Sequence, residues 1–270
     1  MGGRHPPNLS HRITLTRVLT MGVDLSAEPT NTWLAVLDWQ PGRTTLVGLE
    51  ANVSNTRLVE RAIDCEKTGI DCPFGWPVPF LDFVAEHMAG DVAARPGAPI
   101  DWRRRLANRT TDLAVVETIG MRPLSVAADR IAHAAMRCAA LLAELSAAGI
   151  AVDRSGLTGG VVEVYPAAAL RQWGLTHRGY KHRANLATLD GLVTQLQAVA
   201  PWLDLGSFAA TCRASDDAFD AVIAGINARA AVCGLAAPPA AAQVEIARRE
   251  GWIAVPHEGC LSELVEPPRP

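Results

Sequence analysis

MGVDLS (residues 21–26), TWLAVLDW (32–39) and TTLVGLEA (44–51) are three short runs rich in Val, Leu, Thr and Trp. A polar linker separates the first two, and Gln40-Pro41-Gly42-Arg43 separates the second from the third. Runs of this kind, bounded by Pro and Gly, predict strands joined by tight connections. Outward from them the period changes. Residues 55–63 place Leu58, Val59, Ala62 and Ile63 on one helical face, and GIDCPFG (69–75) reads as a short buried strand entering a turn. The mixed signals of 76–101 predict one or two amphipathic turns. Residues 125–149 predict the clearest helix, with Ser125 as its cap and Gly149 as its end. VVEVYP (161–166) predicts a buried strand, and helices are expected from about 167, over 186–199 and over 216–233. A meander followed by alternating helices and strands implies an α/β fold with a mixed sheet flanked by helices.

The chain has 270 residues, 49% of them apolar and 20% charged, enough for one core without staples. Three segments are expected: a disordered extension over 1–20, with Met21 as an alternative start; one catalytic domain over 21–236; and a C-terminal appendage over 237–270. The appendage is partly loose, with an edge strand at 252–255. Six scattered cysteines without a C-x-x-C pair argue against a zinc site and fit reduced thiols in a cytoplasmic protein. No apolar run reaches the ~20 residues of a membrane span. The net charge of −3 does not suit a protein that coats long duplexes, but permits a small nucleic-acid footprint.

The acids carry the chemistry. Asp24 interrupts an apolar strand and Asp71 sits where a strand meets a Pro turn; either could be a turn residue or a cation ligand. ASDDAFDA (214–221) puts Asp216, Asp217 and Asp220 at a helix start, where caps and dipole-stabilising acids also belong. Asp220 lies deeper, beside Ala218, Ala221 and Val222, so a buried acid there requires a metal or a basic partner. Carboxylates converging from separate elements suit two-metal phosphoryl chemistry with Mg²⁺ or Mn²⁺.

GVDLS, IDCPFG, RTTD (109–112), VVEVYP, GYKHR (179–183) and SDDAFDA, in this order, resemble the family known as domain of unknown function 429, described as predicted nucleases of RNase H-like fold. The resemblance implies a five-stranded mixed sheet whose first strand carries Asp24, whose fourth carries Asp71, and whose late helix carries Asp217 and Asp220. These four are the expected metal ligands and catalytic residues. Asp216 then becomes a cap beside the site. Two familiar nucleases of this fold have Glu as the second acid, where this chain has Asp71.

Arg109 is expected to meet a phosphate, to pair with Asp112 and shape the site, or to form a plain surface pair with it. Glu163, alone between valines, is expected to support the site. Lys181 and Arg183 belong to a basic run that could hold a phosphodiester backbone. The leading expectation is a nuclease with nucleic acid as substrate. A non-catalytic binding module would show carboxylates pointing apart or tied up in salt bridges. An actin-like phosphotransferase is disfavoured, since no G-x-x-x-x-G-K-[ST] loop is present.

Overall fold

The opening runs form strands β1 (Val18–Asp24), β2 (Trp33–Gln40) and β3 (Arg43–Ala51), paired antiparallel in sequence order, in a computed structural model that describes residues 18–93 and 97–266. Gly42 turns the β2–β3 connection at φ 73°, a backbone conformation that costs glycine little. Strand β1 begins three residues earlier than expected. Thr20 is buried within it, donating to the Gly225 carbonyl and accepting from the Trp39 indole N–H at 2.8 Å. The rest of the expected extension lies outside the described residues.

Strand β4 (Lys67–Asp71) runs parallel to β1, and β5 (Val161–Glu163) parallel to β4. A sixth strand, β6 (Leu203–Asp204), lies parallel to β3, so the order is β5-β4-β1-β2-β3-β6 rather than a sheet of five. At two residues, β6 is too short to leave a period in the sequence.

Both faces of the sheet are covered, which is why TWLAVLDW reads as a nearly continuous apolar run. Leu34 and Val36 join Met21, Val23 and Ile70 in one core, against α1 (Asn55–Ala62) and the long helix at 132–147. Ala35, Leu37 and Trp39 face the opposite core, the two sets alternating with the strand's period of two.

The intervening chain adds α2 (Val78–Ala89), α3 (Ile100–Ala107) and α4 (Thr110–Ile119). Helix α5 (Ala132–Ala147) starts later than expected, because Ser125 organises a turn instead of capping it. The Ser125 hydroxyl donates to the Ala107 carbonyl and accepts from Ala128 N–H, while Ser125 N–H donates to Asp129. Helices α6 (Pro166–Gln172), α7 (Leu186–Val199) and α8 (Ala209–Ala214) follow.

Helix α9 (Asp216–Val232) is the central pillar: every residue from Ala218 to Ala230 is buried. Its backbone lies directly on the strands. A Cβ on Gly22 would collide with Ala221 O and Gly225 N, and one on Gly69 with Ala224 O.

The segment after 237, expected as a partly loose appendage, carries ordered and buried elements as far as residue 266. Helix α10 (Val244–Glu250) is followed by buried Trp252, Ile253, Ala254 and Val255, with Ile253 bridged to Glu163 beside β5. The expected edge strand is reduced to that bridge. All six cysteines are free thiols, and no helix among the described residues is long and apolar enough to cross a membrane.

Candidate metal centre

Asp24 and Asp71 are the last residues of β1 and β4, and the parallel register sets them side by side. Helix α9 supplies the third acid. Ser215 caps the helix by accepting from Ala218 N–H at 3.2 Å, and Asp220 follows one turn in, 1% exposed. Oxygens of Asp24, Asp71 and Asp220 all lie within 4.8 Å of one another. Ligand oxygens facing each other across Mg²⁺ are about 4.2 Å apart, since each bond is ~2.1 Å, so the trio is close to a coordination sphere.

The charge balance points the same way. Burial raises the Asp24 pKa well above the usual carboxylate range, and Asp220 and Asp71 add to it. Burial pushes Asp71 up to about 7, Lys181 opposing and Asp220 adding. Asp220 is raised by burial too, against the pull of Lys181 and of hydrogen bonds from Lys181 and Tyr180. Lys181 Nζ stands 2.6 Å from Asp220 Oδ2, and the Tyr180 hydroxyl donates to Asp220 Oδ1 at 2.8 Å. Burial disfavours the Lys181 ammonium, yet Asp220 and Asp71 hold it above an ordinary lysine. Three buried or half-buried carboxylates thus share one ammonium. Among the described residues none donates a hydrogen bond to Asp24 or Asp71, and all three acids offer hard oxygen donors. The residues present therefore fit a divalent cation.

The other expected site residues separate into three groups. Asp217 is half-buried on α9 and outside the trio, although Asp24 feels its charge. Its own pKa is raised by burial, then by Asp216 and Asp220. Asp216 is not the cap, which is Ser215; it accepts from His182 N–H at 2.9 Å and so fixes the loop that carries Lys181. Arg183 is exposed at the start of a single 3-10 turn, and no ion pair joins it to the acids.

Arg109 is not free for a phosphate. It is 1% exposed and forks between Asp112 and Glu163, with Nη2 2.9 Å from Asp112 Oδ1 and 2.7 Å from Glu163 Oε1. Nη1 donates to Glu163 Oε2 and the Glu250 carbonyl, and Nε to Asp112 Oδ2, so the guanidinium has an acceptor on each nitrogen. Of its expected roles, the structure has the ion pair with Asp112, buried rather than on the surface. Glu163 also accepts from Phe74 N–H at 2.9 Å and thereby braces the chain leaving Asp71.

Two contributors escaped the sequence reading. Tyr180 sits inside the GYKHR motif, where an aromatic hydroxyl beside a buried acid was the available signal. Glu250 lies in the segment expected to be a partly loose appendage, yet it is 1% exposed and accepts from Val78 N–H and Thr110 N–H, each at 2.7 Å.

A cleft of about 350 Å³ opens from Asp24, Asp71 and Lys181 onto a largely apolar wall. The profile of a family described as a protein of unknown function, DUF429, matches residues 22–244. The chain belongs to the DUF429 family. The matched region of this DUF429 protein contains Asp24, Asp71, Lys181, Asp217 and Asp220 and stops short of Glu250. No curated protein and no solved structure matches it.

Proposed function

We propose that this DUF429 protein is a metal-dependent nuclease of RNase H-like fold that hydrolyses phosphodiester bonds with Mg²⁺ or Mn²⁺. The observation that carries the reading is the convergence of Asp24, Asp71 and Asp220 from β1, β4 and α9 within 4.8 Å. The placement agrees with what that fold implies: an acid on the first strand, one on the fourth, and one on a late helix packed against the sheet. A three-strand meander with its first strand central, extended by two parallel strands, supports the same topology. A binding module would have its acids apart or tied up; of Asp24, Asp71 and Asp220, Asp220 alone has a salt bridge among the described residues.

In this reading Asp24, Asp71 and Asp220 hold one ion, and Asp217, one turn away on α9, is available to a second. The bound ions supply Lewis acidity at a phosphoryl oxygen and a lowered pKa for water. The protein's part is to hold the carboxylates on rigid elements. Lys181, 46% exposed at its side chain, is the cation within reach of a substrate phosphate once its hold on Asp220 is relaxed.

Labelled DNA and RNA incubated with Mg²⁺, Mn²⁺ or EDTA provide the test. Metal-dependent cleavage is expected, reduced ~10²–10³-fold in Asp24→Asn and Asp220→Asn, the scale of losing a charge-stabilising group in the transition state. Variants that cut as fast as the parent, or a parent that cuts neither DNA nor RNA with either metal, would overturn the proposal.

A further inference from the structure

We infer that the apolar half of the cleft seats one unstacked nucleoside beside the carboxylates, so that the substrate is a strand end or an unpaired nucleotide rather than the interior of a duplex. The inference rests on the nuclease reading and specifies its substrate.

The cleft is continuous from Asp24, Asp71 and Lys181 to a wall that includes Leu25, Pro73, Leu124, Ile131, Ala134 and Tyr165. These residues come from separate places: the chain just beyond β1 and β4, the approach to α5, α5 itself, and the residue before α6. A site built only for a phosphate and its ions has no use for such a wall, because phosphate contacts are polar. Leu124 is 50% exposed at this wall, an apolar side chain held toward solvent next to a charged cluster. A nucleotide combines the two chemistries in one unit: an anion for the ions and Lys181, and a flat base whose face packs against the wall.

Size restricts the occupant further. About 350 Å³ is at the low end of the ~300–1,000 Å³ typical of small-molecule sites, room for a single nucleotide unit. A base inside a duplex would have to leave its stack to enter, which is easiest at an end or in a single strand. Net charge is −3, so the long basic track that duplex-coating proteins use is not favoured. The wall offers few groups able to read base edges, so recognition should tolerate any base.

The test compares thymidine 5′-monophosphate with inorganic phosphate, each titrated calorimetrically into the Mn²⁺-loaded protein. The nucleotide should bind about tenfold or more tightly than phosphate, the scale of one base stacked on an aromatic side chain, here Tyr165. Leu124→Asp, at an exposed position that a folded protein tolerates, and Ala134→Trp, which fills the cleft, should bring the two ligands together. Mn²⁺ binding, followed by electron paramagnetic resonance, should persist in both variants. A cleavage arm compares a linear single strand with a covalently closed duplex, the single strand being cut about tenfold faster or more. Equal binding of nucleotide and phosphate by the parent, no nucleotide binding, or equal cutting of the two DNAs would overturn the inference. A nucleotide preference in a protein that cuts nothing would uphold the seat while removing the nuclease reading.

Discussion

Both carboxylate oxygens of Asp220 are engaged, one by Tyr180 and the other by Lys181, and the ammonium lies where a divalent ion would compete for the same oxygen. Lys181→Ala should therefore tighten Mn²⁺ binding, because three acids are left without their counter-charge. Partial exposure of the lysine tempers the Coulomb gain to about tenfold in affinity. Unchanged or weaker binding by electron paramagnetic resonance would contradict this competition. Asp71→Asn removes one of the crowded acids. It should stabilise the metal-free protein by about 1 kcal/mol in urea titrations at neutral pH while weakening Mn²⁺ binding, the usual exchange between stability and function. A metal-free Asp71→Asn protein less stable than the parent would argue that the acids do not repel. At this scale Asp220 was legible as an acid out of place in apolar surroundings, whereas Asp24 and Asp71 read equally well as turn residues until the order of the motifs set them beside it. The role of Asp216 was not legible, because it answers to a loop 34 residues away; nor was the second half of the Arg109 fork, which meets Glu163 54 residues away.

Helices and strands were legible wherever apolar residues kept a period, as in α7 and α9, and illegible where a side chain redirected the chain, as Ser125 does ahead of α5. Two glycines separate packing from propensity. Gly22→Ala would drive a Cβ into the backbone of α9, and a loss of more than about 3 kcal/mol, or no folded protein, is expected. Gly191 lies within α7 with nothing near its Cβ position, so Gly191→Ala should stabilise by ~0.5–1 kcal/mol. Urea midpoints that moved in the same direction for both would refute the close approach of α9.

The loop from α5 to β5 has a pH-dependent anchor. Burial disfavours the Asp153 charge, but hydrogen bonds from Ser155 and Thr158 outweigh it and lower its pKa. The unfolded chain ionises near ~3.9, above the folded value. The contribution is thus complete above about pH 4 and is lost as pH falls through the folded pKa. Asp153→Asn should flatten the acid limb of a stability–pH curve; an unchanged limb would assign it to other carboxylates.

Across the whole molecule, Glu250 joins parts that are distant in sequence, capping the starts of α2 and α4 while its carbonyl receives Arg109. Glu250→Ala leaves two N–H groups in need of acceptors and should cost about 2–4 kcal/mol in the urea midpoint. Fluorescence and circular dichroism should still give coincident transitions, since the C-terminal segment packs into the same body. A variant as stable as the parent would show that the segment is dispensable. The architecture of sheet and covering helices followed from the order of periods, but this tie did not: a Pro- and Ala-rich stretch precedes it, and nothing local marks Glu250 as buried.

Gly22 and Asp24 on β1, like Gly69 and Asp71 on β4, are the two ends of a G-x-D tripeptide that the chain uses twice. Two strand residues advance ~6.6 Å, and the four or five helical residues from Ala224 or Gly225 back to Asp220 advance ~6–7.5 Å. Strand and helix are rulers of matching length laid from a common zero, the place where glycine lets them touch. Inserting or deleting one residue between the glycine and the aspartate on either ruler would leave the fold its contact and put the three acids out of step.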